Sequence, residues 1–307
     1  MAITRPSAPR PILVFALFLA SGCIFGDHNH NLDLNNNNNN NPLPCLGVSA
    51  MTSKATTSSS YRGALIFLHG LGDSPRGWSG LEQSLPRLKP SLGDIKYVFP
   101  AAPTIPITIN GGMSMPGWFD LYDWPIGVGS RDDPAGLKRG VAQIREEVAR
   151  LETDHGIPPE KIVIGGFSQG GAVALLSCYH QVTGDGGETG AAASPKRAAF
   201  AGCVGLSAWL TLPKEVVADA AAAGGDDPRK TIPLFWGHGT YDDKVLFEQQ
   251  KFGIETLAND FGLDHGLITH TQYPMGHQSC EPETRDLADF VDRVLFGSDD
   301  DDTKTDL

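Results

Sequence analysis

The sequence lacks the marks of several large protein classes. Basic residues are scarce: 24 Lys and Arg stand against 36 Asp and Glu, a formal charge of −12. Without clustered Lys and Arg a chain cannot neutralise a phosphate backbone, which excludes nucleic acid as a partner. Cysteine is sparse and unpatterned. Cys23, Cys45, Cys178, Cys203 and Cys280 are an odd number at wide spacings, with no C-x-x-C pair for a metal or redox centre. They read as mostly free thiols of a reducing compartment. Long apolar runs are missing as well. The stretch Pro11 to Ala20 falls far short of the roughly 20 residues a membrane span needs, so any membrane contact is expected to be peripheral. No internal repeat is visible, and the sequence carries no mark of an oligomeric state.

That short apolar stretch follows Arg5 and Arg10 and precedes the small residues Ser21-Gly22-Cys23. Two readings stand: a cleaved signal or transit peptide, which implies a secretory or organellar protein, or an extension of a cytosolic one. From Asp27 to Ser60 the chain is polar and low in complexity, with an unbroken Asn run from Asn35 to Asn41. Such a composition cannot bury a core and reads as a linker. The acidic end, with Asp299 to Asp302, reads as a solvated tail. Three parts are therefore expected: residues 1–60 as apolar segment and linker, 61–297 as one catalytic domain, and 298–307 as a disordered tail. At 40% apolar and 20% charged residues, the domain can build its core without disulfides.

Within 61–297, short apolar runs alternate with helical periodicity. Ala64 to Leu68, Ile95 to Phe99, Ile162 to Gly165, Ala201 to Leu206, Pro233 to Trp236 and Ile268 to Tyr273 are bounded by Gly, Pro or Asp. They suit strands covered on both faces. Leu137, Val141, Ile144, Val148 and Leu151 place one apolar stripe on a helix ending near Gly156. Ala172 to Tyr179, Val245 to Phe261 and Pro282 to Phe296 also read as helices. This alternation predicts an α/β fold on a mainly parallel central sheet. Two stretches, Val182 to Ser194 and Ala218 to Pro228, read as lengthened surface loops from their Gly and Ala content.

Gly166-Phe167-Ser168-Gln169-Gly170 is the strongest chemical signal. In a chain with 36 glycines, chance supplies roughly 0.3 copies of G-x-S-x-G, so the string acquires weight only from context. Lys161 to Gly165 reads as a strand and Gly171 to Leu176 as a helix, which puts Ser168 on the sharp turn of a nucleophile elbow. A tetrahedral intermediate then needs preset N–H donors. Gln169 supplies one, and a second is expected from Leu68-His69-Gly70-Leu71-Gly72-Asp73, after the first strand. His69 itself reads as structural, since that loop acts through its amides.

A serine also needs an imidazole to take its proton and a carboxylate to orient that imidazole, in the chain order Ser, Asp, His. Of the histidines after Ser168, His277 lies on a loop between the last strand and the last helix. From there it can reach the C-terminal edge of the sheet. Asp242 and Asp243 both follow the strand ending at Trp236, and composition does not choose between them.

These residues together resemble the acyl-protein thioesterase and small carboxylesterase group of the α/β-hydrolase fold. The resemblance rests on Phe67 to Asp73 with Trp78, Met115 to Asp120, Gly165 to Gly171, Leu206 to Leu210, His238-Gly239 with Asp242, and Met275-Gly276-His277, all in family order. It implies helices on both faces of the sheet, a triad of Ser168, Asp242 and His277, and oxyanion donors at the Leu71 and Gln169 amides. The family pattern H-G-x-x-D-x-x-V selects Asp242, although Thr240 and Asp243 depart from the usual Asp and Pro. An apolar acyl site is implied near Ile105 to Phe119, with Met115 and Trp118 as substrate-binding residues beside Ile107, Ile109 and Met113.

The same resemblance implies a cytoplasmic enzyme, without metal or cofactor, acting on S-acylated proteins or small acyl esters. Alternatives are a general carboxylesterase or lysophospholipase, or a binding protein that keeps the fold without catalysis.

Overall fold

A computed structural model describes residues 61–180 and 199–297. The N-terminal 60 residues, the expected Val182–Ser194 loop and the acidic tail lie outside the described residues. The first half runs β1 (Gly63–Leu68), α1 (Pro75–Trp78), α2 (Leu81–Leu88), β2 (Ile95–Val98), β3 (Thr104–Ile107), β4 (Met113–Pro116) and α3 (Pro134–His155). The second half runs β5 (Ile162–Phe167), α4 (Gln169–Tyr179), β6 (Gly202–Leu206), α5 (Pro213–Ala223), β7 (Leu234–Gly239), α6 (Glu248–Glu255), β8 (Ile268–Tyr273) and α7 (Glu281–Phe296). Six strands form one sheet in the order β2-β1-β5-β6-β7-β8, and every pairing is parallel.

The sheet is covered on both faces, as expected. One face carries α3 and α4, with Val141 and Val173, over Ile66, Ile164 and Trp236. On the other, Leu85 of α2 and Leu287, Phe290 and Val291 of α7 cover Leu65, Phe67, Val163 and Phe235. Every residue of β1, β6 and β7 is buried, because each of these strands has a neighbour on either side and helices above and below. β8 departs from that pattern. Among the described residues it has only β7 beside it, and Thr269, His270 and Gln272 are exposed, so an edge strand keeps polar side chains that an inner one excludes.

All six expected strands form within a residue or two of their predicted bounds at the N-terminal ends. The long helix stops at Gly156, whose φ of 65° lets it accept the left-handed cap. The Val245–Phe261 expectation is shortened: α6 begins at Glu248, and a wider π-type turn carries the chain from Thr256 to Phe261. Val245 instead pairs with Ile126 in an isolated bridge.

The Ala218–Pro228 loop is corrected more substantially. Residues 218–223 are the second half of α5, which starts on Pro213 and ends at Gly224. Ala is the best helix former and Pro suits a first turn, so the alanine run is helix and only the glycines after it are loop. The antiparallel hairpin of β3 and β4 was not anticipated either.

Glu283, in the first turn of α7, is fully buried and packs against Gly237 of β7; a Cβ on that glycine would lie 2.3 Å from Glu283 Oε1. Burial pushes this carboxyl up to about 8, with the Ser279 hydroxyl opposing and Asp286 reinforcing the rise. The folded chain therefore holds a proton that the unfolded chain releases at the ordinary carboxylate value of 4.5. Between those two values the native state binds more protons than the unfolded one, so stability falls as pH rises through the window. Glu283→Gln is expected to remove this fall, melting above wild type at pH values near 8 while differing little at acid pH. Thermal unfolding of the two proteins across that range checks it.

Candidate active site

The site is built at the C-terminal ends of the parallel strands. Between β5 and α4 stands Ser168 at φ 54° and ψ −122°, a conformation that costs a non-glycine residue about 1–3 kcal/mol. Its surroundings enforce it. The Ser168 N–H donates to Leu206 O of the adjacent strand at 2.8 Å, and Ala172 N–H closes the first helical turn onto Ser168 O at 3.0 Å. The flanking glycines are steric necessities. A Cβ on Gly166 would lie 2.4 Å from the Gly170 carbonyl carbon, and one on Gly170 would lie 2.4 Å from Leu68 O and 2.5 Å from His69 O.

His277 comes to this serine on the loop after β8. Its Nε2 is 2.9 Å from Ser168 Oγ and its Nδ1 is 2.7 Å from Asp242 Oδ2. The loop is fastened to the end of β7 by bonds from Thr240 N–H to Tyr273 O and from Tyr241 N–H to Met275 O. Gly239 permits that contact, since a Cβ there would meet the Met275 and Gly276 carbonyl oxygens at 2.4 and 2.5 Å. The Phe167 ring packs against the imidazole with centroids 4.8 Å apart, and is itself backed by Trp78 and Phe67.

Of the two adjacent acids, the structure brings Asp242 to His277 and turns Asp243 outward to pair with Lys244 Nζ at 3.0 Å. The Lys244 and Val245 amides both donate to Asp242 Oδ1 at 2.9 Å. Burial tends to raise the Asp242 carboxyl, but the His277 hydrogen bond and charge together with those amides outweigh it and hold the group below the usual range. An ionised carboxylate only accepts, so the hydrogen sits on His277 Nδ1 and leaves Nε2 bare for the serine proton. This arrangement can generate an alkoxide-like oxygen beside a preset donor pair.

The Gln169 N–H is the first of α4 and has no acceptor within its own helix. Gly70 packs against Ser168; a Cβ there would be 3.4 Å from the serine Cβ. Sequence reasoning missed how firmly this loop is held. Trp118 Nε1–H donates to His69 O at 2.8 Å, and Gly72 N–H donates to Pro116 O at 2.8 Å. The Gln169 side chain accepts from Trp118 N–H at 2.9 Å and donates to Phe119 O at 2.7 Å. His69 Nε2 accepts from Ala102 N–H at 3.1 Å while Nδ1–H donates to Gly70 O at 2.8 Å.

The expected acyl-site residues divide. Trp118 and Ile107 are buried, Ile109 and Met113 are exposed, and Met115 is half-buried on β4. The buried Trp118 indole is bonded to His69 O of the Leu68 to Asp73 loop. Among the described residues no group of three or more His, Cys, Asp or Glu is placed to hold a metal ion.

A family model described as phospholipase/carboxylesterase matches residues 54–295, most of the chain. The chain belongs to the phospholipase/carboxylesterase family. Members of this family similar to it include acyl-protein thioesterase 1 of Mycosarcoma maydis, 37% identical over 240 residues covering 75% of this chain and 90% of that protein. The acyl-protein thioesterase 1 of Cryptococcus neoformans is 34% identical, covering 79% and 96%. Among solved structures, Arabidopsis thaliana SOBER1 superposes with a TM-score of 0.64 at 27% identity, covering 76% of this chain and 99% of that one. Zea mays acyl-protein thioesterase 2 gives 0.63 at 28%, covering 77% and 95%.

If Asp242 orients His277, Asp242→Asn lowers kcat by roughly 10⁴-fold through the wrong tautomer. Asp243→Asn should leave kcat near wild type. Steady-state turnover of a chromogenic ester by the two variants separates them.

Proposed function

We propose that this protein hydrolyses acyl thioesters and esters as an acyl-protein thioesterase, with Ser168 as nucleophile, His277 as base and Asp242 as the acid that orients it. The observation that carries the reading is the unbroken line Ser168 Oγ, His277 Nε2, His277 Nδ1, Asp242 Oδ2, with spacings of 2.9 and 2.7 Å, at the mouth of a family-typical elbow. Supporting it are relatives called acyl-protein thioesterase 1 that match over most of their own length.

Chemistry proceeds in two halves. Ser168 Oγ attacks the acyl carbon as its proton passes to His277 Nε2, and the negative charge that forms on the carbonyl oxygen is met by the Gln169 and Leu71 amides. The carbon–sulfur bond then breaks, the thiol leaves with the proton from His277, and an acyl-serine remains. Water, deprotonated by the same imidazole, cleaves that ester and restores Ser168. Asp242 stays ionised throughout and balances the imidazolium.

The proposed substrates are S-acylated proteins, with half-buried Met115 beside the Ile105 to Phe119 segment contributing an adaptable apolar contact for the acyl chain. The proposed location is the cytoplasm, to which free thiols at Cys178, Cys203 and Cys280 lend support. No helix among the described residues is long and apolar enough to cross a membrane, and contact with acylated substrates at a membrane is read as peripheral. A mature N-terminus near residue 24, found by N-terminal sequencing, would replace the cytoplasmic reading with a secretory or organellar one.

Turnover of an S-palmitoyl peptide, compared with p-nitrophenyl esters from acetate to palmitate, tests the function. The expected outcome is hydrolysis of the thioester and of long-chain esters, lost by a factor on the order of 10⁶ in Ser168→Ala. Activity confined to acetate and other short esters would make the protein a general carboxylesterase, and no activity with no fluorophosphonate labelling of folded protein would leave a binding protein.

A further inference from the structure

Asp242 has a second imidazole beside it. His238, the penultimate residue of β7, is fully buried, and its Nε2 faces two acceptors: Val245 O at 2.9 Å and Asp242 Oδ2 at 3.6 Å. A carbonyl oxygen only accepts, so Nε2 carries the hydrogen and donates it to Val245. The longer separation is beyond hydrogen-bond reach. Nδ1 is then a bare acceptor, and it has no partner among the described residues. Burial holds the ring below the ordinary imidazole range, although the Val245 bond and the charge of Asp242 act to raise it. An uncharged His238 does not compete with His277 for the carboxylate.

The Val245 bond ends on the turn that shapes the acid. Val245 N–H and Lys244 N–H donate to Asp242 Oδ1, both at 2.9 Å, which fills that oxygen and leaves Oδ2 for His277. The same turn is held from outside by Ile126, whose N–H donates to Lys244 O at 2.8 Å and whose carbonyl accepts from Leu246 N–H at 2.9 Å. His238 braces it from inside. A ring that merely filled space there, in edge contact with Phe247, would need no donor at Nε2.

We propose that His238 is a positioning residue for hydrolysis: by holding Val245 O through its Nε2–H, it fixes the Asp242 to Val245 turn so that Asp242 Oδ2 points at His277 Nδ1. The proposal rests on the reading of Asp242 as the orienting acid. It assigns a chemical reason to a histidine that lies four residues before that acid and never meets the substrate.

The test uses His238→Phe, His238→Asn and His238→Gln, each also combined with Asp242→Asn, with steady-state kinetics and melting temperature measured for all. Gln places an amide N–H where Nε2 stood, and Asn falls short of Val245. Expected is a roughly 10- to 100-fold loss of kcat in H238F and H238N, KM within about twofold of wild type, and recovery of most of the loss in H238Q. In the D242N background the same substitutions should cost nothing further, since a brace has no effect once its carboxylate is gone. Equal losses in both backgrounds, a KM effect in place of a kcat effect, or H238Q as impaired as H238F would overturn the proposal. If H238F does not fold, near-wild-type kcat in H238N overturns it alone. Wild-type turnover in D242N would instead overturn the reading of Asp242, whereas a dead D242N with additive losses at His238 overturns only the brace.

Discussion

The structure depends on one strained residue. Ser168 can project its hydroxyl above the sheet only in a backbone conformation that its side chain disfavours, and the bond to Leu206 O and the crowding around Gly166 and Gly170 leave it no other. Because β5 is an inner strand with β1 on one side and β6 on the other, that strained turn is flanked by the ends of its neighbours. The Leu68 to Asp73 loop follows β1, and the loops that carry Asp242 and His277 follow β7 and β8. A parallel sheet thus gathers onto one edge groups that lie up to about 200 residues apart in the chain, as open α/β sheets generally do with their ligands.

Position within the loops that carry Asp242 and His277 is set by backbone contacts. The acid and imidazole loops are zipped through Thr240 and Tyr241, so the Asp242–His277 distance is a property of two strands in register. The Leu68 to Asp73 loop is held by a side chain instead, the Trp118 indole on His69 O, and the Gln169 side chain in turn fixes Trp118 and Phe119. Gln169 therefore has two tasks in the proposed mechanism: its amide is a proposed oxyanion donor, and its side chain ties down Trp118 and Phe119. Rigid donors that need no reorganisation during the reaction stabilise developing charge most effectively.

The parts legible in the sequence were those written in local pattern. Inner strands are near-continuous apolar runs, the long helix carries a clean stripe and a glycine stop, and the elbow lies between a strand and a helix. Ser168 and His277 could be singled out because chain order and strand ends constrain them. Asp242 and Asp243 are adjacent and chemically alike. Their difference is that one faces inward from a turn, which spacing alone does not encode and which only the family pattern indicated.

Other features were hidden because they are contacts across long stretches of chain. The hydrogen bonds of Gln169 to Trp118 and Phe119 span about 50 residues, and nothing local marks them. The β3–β4 hairpin was obscured by Pro106 and Pro116, residues that usually argue against a strand, although Gly111-Gly112 between two apolar stretches was a turn signal that could have revealed it. α5 was obscured by reading alanine as loop composition when its helix propensity and the preceding Pro213 argued the reverse. The bond from the Trp118 indole to His69 O, 49 residues away in the chain, was hidden for the same reason as those of Gln169.

In the proposed mechanism an acyl group passes through Ser168. Intact-protein mass spectrometry after rapid mixing with an S-palmitoyl peptide, followed by peptide mapping, tests it directly. The account predicts a transient mass increase of one palmitoyl group, located on the peptide containing Ser168 and absent in Ser168→Ala. Turnover with no adduct at Ser168, or with the acyl group mapped to another side chain such as Cys280, would contradict it.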